Sequence, residues 1–215
     1  MADLKRLYDA VLNGDQKNAV AVTEEALAEG IAPMELINGY MIPAMDEVGR
    51  LYEVEEYFVP ELLLAARAMK GSLGLLRPLL AAQGTEPVAR VAIGTVKGDL
   101  HDIGKNLVAS MLEGGGFEVF DLGADVAPER FIEAIREKGA TIVCLSALLT
   151  VTMPSMRKTI DALKEAGVRD GVKVFVGGAP VTRQFAEEIG ADGFGENANA
   201  AVALAREAAG VAARR

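Results

Sequence analysis

From Val88 to Ala209 the chain repeats one change of character five times: a short β-branched or apolar run, a turn, then a segment of helical period. The runs are Val88–Val96, Phe117–Leu122, Ala140–Leu145, Val172–Val176 and Ala191–Phe194. The helical segments are Gly104–Gly114, Pro128–Lys138, Met153–Ala166, Val181–Ile189 and Asn197–Ala209. Strands this apolar have no polar face to offer water, so both faces must be covered, and helices between them supply the cover. The pattern predicts a three-layer, Rossmann-like α/β domain around a five-stranded parallel sheet.

The first 83 residues follow another period. Leu4, Leu7, Tyr8, Val11 and Leu12 share one face of a short helix. Asn13-Gly14-Asp15 ends it and caps a second, which carries Val20, Val22, Ala26 and Leu27. Glu29-Gly30 stops that one, and Pro33 suits the first turn of a third, with Met34, Ile37, Met41, Met45 and Val48 at helical spacing. Pro60 lies near the start of a fourth, in which Leu62, Ala66, Met69, Leu73, Leu76 and Leu80 form one stripe. Gly71 and Gly74 weaken that helix unless neighbours pack closely there. Four helices with one stripe each predict a four-helix bundle. Ala81–Pro87 reads as a linker, which places domains at 1–83 and 88–215. Met34, Met41, Met45 and Met69 either fill the core of the bundle or line a soft surface over something large and flat.

Charge narrows the partners. Thirty-one acidic residues against 22 basic ones leave a net charge of −9. Such a surface opposes close approach to a phosphate backbone, so nucleic acid is not an expected partner. The opening residues, MADLKRLYDAVLNGD, contain no signal-peptide core, and charges interrupt every apolar run before it reaches membrane-spanning length. A cytoplasmic protein with no membrane partner is expected. The chain has one cysteine, Cys144, which excludes an internal disulfide. Its place in an apolar run predicts a buried, inert thiol.

Ligands of parallel α/β sheets bind beyond the carboxyl ends of the strands, where the strand order reverses. In a flavodoxin-like order the first, third and fourth strands are neighbours, so the loops Lys97–Gly104, Ser146–Thr152 and Gly177–Pro180 converge. The first holds the single histidine, His101, two residues after Asp99. Asp99 can accept the proton of one ring nitrogen and leave the other as a base or a metal ligand. Cysteine and histidine are too few for a zinc cage. One imidazole suffices where a macrocycle fills the equatorial positions of the metal, as in haem and corrinoids. Gly94, Gly98 and Gly104 lack the spacing of a dinucleotide loop, and Gly104-Lys105 only echoes a phosphate-binding one. Asp99 or Asp102 as a phospho-acceptor lacks an acidic pair just before it, and no nucleophile elbow is present. On the residues alone, a structural histidine, a cofactor ligand and a site for phosphorylated or nucleotide substrates stay open.

Asp99-Leu100-His101-Asp102-Ile103-Gly104 resembles the DxHxxG motif of cobalamin-binding domains. Ser146-Ala147-Leu148 and Gly177-Gly178 match the SxL and GG signatures of the same family, in the same order. Val48-Gly49-Arg50-Leu51-Tyr52, Glu56-Tyr57-Phe58-Val59-Pro60-Glu61-Leu62 and Ala65-Ala66-Arg67-Ala68-Met69 resemble its helical cap. The likeness spans nearly the whole chain. It is strongest to the small corrinoid proteins of methyltransferase systems in anaerobes, which resemble the cobalamin part of methionine synthase without its catalytic modules. Arg50 and Val54 depart from the pattern at the cap surface and leave the cofactor assignment intact.

That resemblance implies cobalamin, as methylcobalamin or a related corrinoid, bound base-off with His101 as the lower axial ligand of cobalt. Asp99 would stand behind the ring and tune the axial bond by sharing or releasing a proton. Gly98, Asp102, Ile103 and Gly104 complete the motif. Ser146 would hydrogen-bond near the nucleotide tail or the aspartate–histidine pair, with Leu148 beside it and Thr150 assisting. Gly177 and Gly178 would leave space for the tail, and Met69, with Tyr57 and Leu63, would touch the cofactor from the cap. The chain would be a non-catalytic methyl carrier. A donor-specific methyltransferase would load it from methoxylated aromatics, methanol, methylamines or betaines. A second methyltransferase would unload it onto tetrahydrofolate or a thiol, and a reductive activase would be a further partner. The acidic run Glu53, Glu55 and Glu56 reads as a solvated face or a docking surface for a methyltransferase. The alternative is a cobalamin-binding sensor or regulatory module, which would be expected to carry a DNA-binding domain.

Overall fold

A computed structural model describes residues 3–82 and 87–210. It divides into two compact units, a helical one up to Pro87 that takes in Glu113–Gly116, and an α/β one of the remaining residues from Val88.

In the helical unit, α1 (Leu4–Leu12) and α2 (Gln16–Ala28) each start at an aspartate. The Asp15 carboxylate accepts the Asn18 N–H at 3.0 Å, which satisfies one of the donors a helix start leaves free. Gly14 joins the two helices at φ +69°, and a Cβ there would strike Leu64. The expected third helix is interrupted: α3 (Pro33–Leu36) passes through a π turn at Ile37–Met41 into α4 (Ile42–Glu53). The Ile42 N–H donates to the Ile37 carbonyl, five residues back. Pro43 explains the interruption, because it has no N–H to give and its ring crowds the carbonyl four residues before it. In α5 (Val59–Ala82), the Glu61 carboxylate turns back to accept the Phe58 N–H at 2.9 Å. Its stripe is buried as expected from Leu62 through Leu76. Gly71 lets Val20 and Gln16 of α2 come within about 3 Å of where a Cβ would stand, whereas Gly74 has no such neighbour. Met41, Met45 and Met69 fill the interior, and Met34 does not. The helix runs to Ala82, and of the expected linker residues 83–86 lie outside the described ones.

The α/β unit runs β1 (Arg90–Thr95), α6 (Ile103–Gly114), β2 (Glu118–Asp121), α7 (Pro128–Lys138), β3 (Ile142–Ser146), α8 (Pro154–Glu165), β4 (Lys173–Gly177), α9 (Arg183–Ile189), β5 (Gly193–Gly195) and α10 (Ala198–Ala208). The strands are parallel in the order β2-β1-β3-β4-β5, so the order reverses beside β1. Register, more than order, decides which strand ends meet. Thr95 stands beside Ser146, Ser146 beside Gly177, and Gly177 beside Gly195, so four strands end in one row.

Burial on both faces follows the apolar strands. Val143, Leu145, Val174 and Val176 pack with Phe131, Met156, Ile160, Leu163 and Ile189 from α7, α8 and α9. Cys144 is buried, and burial pushes its thiol up to about 12, as an inert cysteine requires. Among the described residues no helix is long and apolar enough to cross a membrane.

Gly94 fits this core by having no side chain. A Cβ there would stand 2.9 Å from the ring of Phe131 and 3.0 Å from Val126. Gly94→Ala is therefore expected to lower stability by roughly 1–3 kcal/mol through overpacking. Phe131→Leu in the same chain should recover part of that loss, because the two changes act on one contact. Urea unfolding measures both, and strictly additive losses would contradict the assigned contact.

Candidate functional site

The loop from β1 to α6 is held before it can hold anything else. Thr95 is buried at the end of β1, and its hydroxyl donates to the His101 carbonyl at 2.9 Å. Gly98 turns the chain at φ +89°, where a side chain would be strained. The loop re-enters helix at α6, where the Asp102 carbonyl accepts the Asn106 N–H at 2.7 Å and its carboxylate accepts the Asn106 amide at 3.1 Å. Lys105, one turn in, is buried and donates to both carboxylate oxygens of Asp121, which ties α6 to the end of β2.

Asp99 has no solvent-exposed surface. One oxygen accepts the His101 N–H at 3.1 Å and pairs with the His101 Nδ1 at 2.7 Å. The other accepts the Thr152 hydroxyl at 2.6 Å and the backbone N–H groups of Leu148 and Leu149 at 2.8 and 3.3 Å. Burial alone drives a carboxyl pKa up. Here the bonds from Thr152, Leu148 and His101 outweigh it and hold Asp99 well below the usual carboxylate range. Asp99 is thus ionised at neutral pH, and the proton between the pair lies on Nδ1 of His101. The half-exposed imidazole is left with Nε2 as its free nitrogen.

Apolar side chains stand open around that ring. Leu100, Leu148 and Leu149 are exposed, Ile103 is 87% exposed and Val151 80%. A cluster of exposed aliphatic groups at a polar loop marks a binding surface. Gly104 adds room, since a Cβ there would meet nothing within 4 Å.

The glycine pair at the end of β4 has a second reason to be glycine. A Cβ on Gly177 would stand 2.9 Å from the Gly195 carbonyl oxygen, and one on Gly178, at φ +130°, would collide with the Ala147 carbonyl. Close approach of the chain to itself demands both residues, whatever lies above them.

The three loops converge as expected, and they bring Gly98, Asp99, His101 and Leu148 together, with Asp102, Ile103 and Gly104 opening α6. Three expected residues, Ser146, Thr150 and Met69, are not among the hydrogen-bond partners of Asp99. The hydroxyl bound to Asp99 is that of Thr152, not of Ser146 or Thr150. Thr150 is exposed. Met69 lies in α5 of the helical unit and is fully buried. Thr152 sits inside the segment singled out from the sequence. What brings it back is the turn after β3, where the Thr152 N–H donates to the Leu149 carbonyl at 3.0 Å and leaves the hydroxyl beside Asp99. No spacing rule reads that from the residues.

Among the described residues no group of three or more His, Cys, Asp or Glu side chains is placed to hold a metal ion. The site offers a metal one imidazole, anchored from behind and ringed by aliphatic groups. That donor set fits a metal whose other positions a flat, largely apolar macrocycle provides.

Comparison with known proteins agrees with this chemistry. The B12 binding domain model matches residues 89–205, and a second B12 binding domain model matches residues 3–77. The chain is 45% identical over 207 residues to the trimethylamine corrinoid protein 2 of Methanosarcina mazei, covering 95% of each. It is 42% identical over 205 residues to the dimethylamine corrinoid protein 2 of Methanosarcina acetivorans, covering 95% of this chain and 94% of the relative. Among solved structures, a cobalamin-binding protein of Desulfitobacterium hafniense DCB-2 is 36% identical with a TM-score of 0.79, over 97% of this chain and 99% of the other. The methanol:cobalamin methyltransferase complex of Methanosarcina barkeri contains a chain 28% identical with a TM-score of 0.85, over 96% of this chain and 79% of the other. With family models matched in both units and such identity along nearly its whole length, the chain belongs to the B12-binding corrinoid proteins.

Proposed function

We propose that the chain is a methyl carrier of a corrinoid-dependent methyltransferase system, with no substrate chemistry of its own. The observation that carries the reading is the Asp99–His101 pair: a buried carboxylate fixes Nδ1 and leaves Nε2 as a ligand. Bound cobalamin would supply the centre that takes up and gives away a methyl group. In this reading the cofactor is base-off, His101 is the lower axial ligand of cobalt, and Leu100, Ile103, Leu148 and Val151 face the macrocycle. Gly177 and Gly178 border the space for the nucleotide tail. The helical unit is the cap.

The two oxygens of Asp99 accept five donors, so the carboxylate would hold the ring by Nδ1 and leave Nε2 to the metal. The donor is a methylated amine, a reading supported by the names of the relatives, and the acceptor is a thiol or tetrahydrofolate reached through a second methyltransferase. A reductive activase is the further partner.

Reconstitution tests the assignment. Protein supplied with cobalamin is expected to bind it base-off. In the cobalt(II) state its EPR spectrum should carry a nitrogen coupling that changes when the protein's histidine is 15N-labelled and disappears in His101→Ala. Cobalamin bound with its own base still on cobalt, or an unaltered coupling in His101→Ala, would overturn the proposal. Thr152→Val leaves Asp99 one donor short. It is expected to destabilise the apoprotein by about 1–3 kcal/mol and to lower the histidine-ligated fraction. Retention of both would remove Thr152 from the site.

A pH test needs no cofactor. The pKa of Asp99 is depressed in the fold, so its contribution to stability is fully present above its unfolded value, near 4, and is lost as the pH falls below that. The urea stability of the apoprotein should therefore fall more steeply below about pH 4 than that of Asp99→Asn, which has no charge to lose. Parallel pH profiles would contradict the assigned shift.

A further inference from the structure

Asp125 lies on the other side of the site, in the turn between β2 and α7, and no motif singles it out. That turn is laid along β1 by backbone bonds. The Leu122 N–H donates to Ile93 at 2.8 Å, the Thr95 N–H to Gly123 at 3.0 Å, and the Val126 N–H to Thr95 at 2.9 Å. Asp125 then makes three contacts with the loop that carries the histidine. One carboxylate oxygen accepts the Gly98 N–H at 2.8 Å, and the other accepts the Lys97 ammonium at 2.8 Å. Its own N–H donates to the Asp99 carbonyl at 2.9 Å. The residue holds a left-handed backbone conformation, φ +55°, which aspartate tolerates better than most residues but which is still a local strain. Strain kept at a functional loop points to a task.

We propose that Asp125 is a positioning residue for the axial histidine, acting through its bond to the Gly98 N–H. The inference rests on the reading of His101 as a cobalt ligand. Strand order gives it a physical basis: β1 lies between β2 and β3. Thr152, Leu148 and Leu149 fix the Asp99 carboxylate from the β3 side. Asp125 fixes the main chain at Gly98 and Asp99 from the β2 side. Thr95 holds the His101 carbonyl, and the bond from Gly98 to the Asp125 carboxylate restrains the main chain just before Asp99; without it that stretch gains freedom that the ring follows. Lys97 is the cation paired with Asp125; the pair is exposed on both partners and adds little by itself.

The variant to make is Asp125→Gly. Glycine keeps the left-handed conformation and the N–H bond to Asp99, and loses only the carboxylate. Asp125→Asn is the conservative partner, because its amide oxygen can still accept the Gly98 N–H. In the apoprotein, amide exchange at Gly98 should rise about tenfold in Asp125→Gly, the effect of losing one such bond. In the cobalamin-loaded protein, the EPR fraction with histidine nitrogen on cobalt(II) should fall several-fold, while circular dichroism shows an unchanged fold. Asp125→Asn should restore both. An unchanged histidine-ligated fraction in Asp125→Gly overturns the proposal, and so does a loss that Asp125→Asn fails to repair. Failure of the wild-type protein to take its ligand from His101 would instead sink the proposed function. The exchange arm, read on the apoprotein, would still decide whether Asp125 holds the loop.

Discussion

A carboxylate sealed from water is the constraint on which the site depends. An ionised group buried without partners is disfavoured by several kcal/mol, and Asp99 is tolerable because five donors surround it. Those donors come from two loops. Two belong to His101 in its own loop, and three to the segment after β3. Neither loop can move far without leaving a buried charge short of a hydrogen bond. The ring of His101 inherits that rigidity through Nδ1, although half of its own surface is open. A ligand on an exposed loop thus gains the positional definition of a core residue.

The sheet makes that arrangement possible through register. Because Thr95, Ser146, Gly177 and Gly195 end their strands side by side, the loops leave from one line and meet a few residues later. Their closeness has a steric condition, met at Gly177 and Gly178, where any side chain would run into the backbone of a neighbouring segment. The same condition recurs inside the core at Gly94 beneath Phe131. Small residues here serve the chain's approach to itself first, and whatever space they leave for a ligand comes as a consequence.

Much of this was readable from residues alone. The five apolar runs marked the strands to within one or two positions at most ends, since a parallel strand buried on both faces has no other composition available. Asp99 and His101 were readable as a pair because the histidine is single and the aspartate lies two residues away. Three things were not readable. The π turn at Ile37–Met41 answers to Pro43, and helical spacing continued through it without a visible break. Thr152 reaches Asp99 only through the turn that comes after β3, whereas Ser146 and Thr150, in the same segment, do not. Asp125 acts on a loop 27 residues before it, and nothing in its own neighbourhood distinguishes it from any other turn aspartate.

The charges around the ring are arranged so that one of them stands out. Asp121 is paired with the buried ammonium of Lys105, and Asp125 with Lys97. Asp102 is exposed, and water and salt screen it at short range. Of these four carboxylates only Asp99 is both buried and without a lysine or arginine partner, and it stands 2.7 Å from Nδ1. Sealed from water, that single charge meets the ring through one short hydrogen bond and not across solvent. A neutral imidazole pulled upon in this way donates electrons more strongly through its other nitrogen. The pairing or screening of every neighbouring carboxylate is therefore part of how the site works: it confines the negative field to the one position from which it passes through the ring.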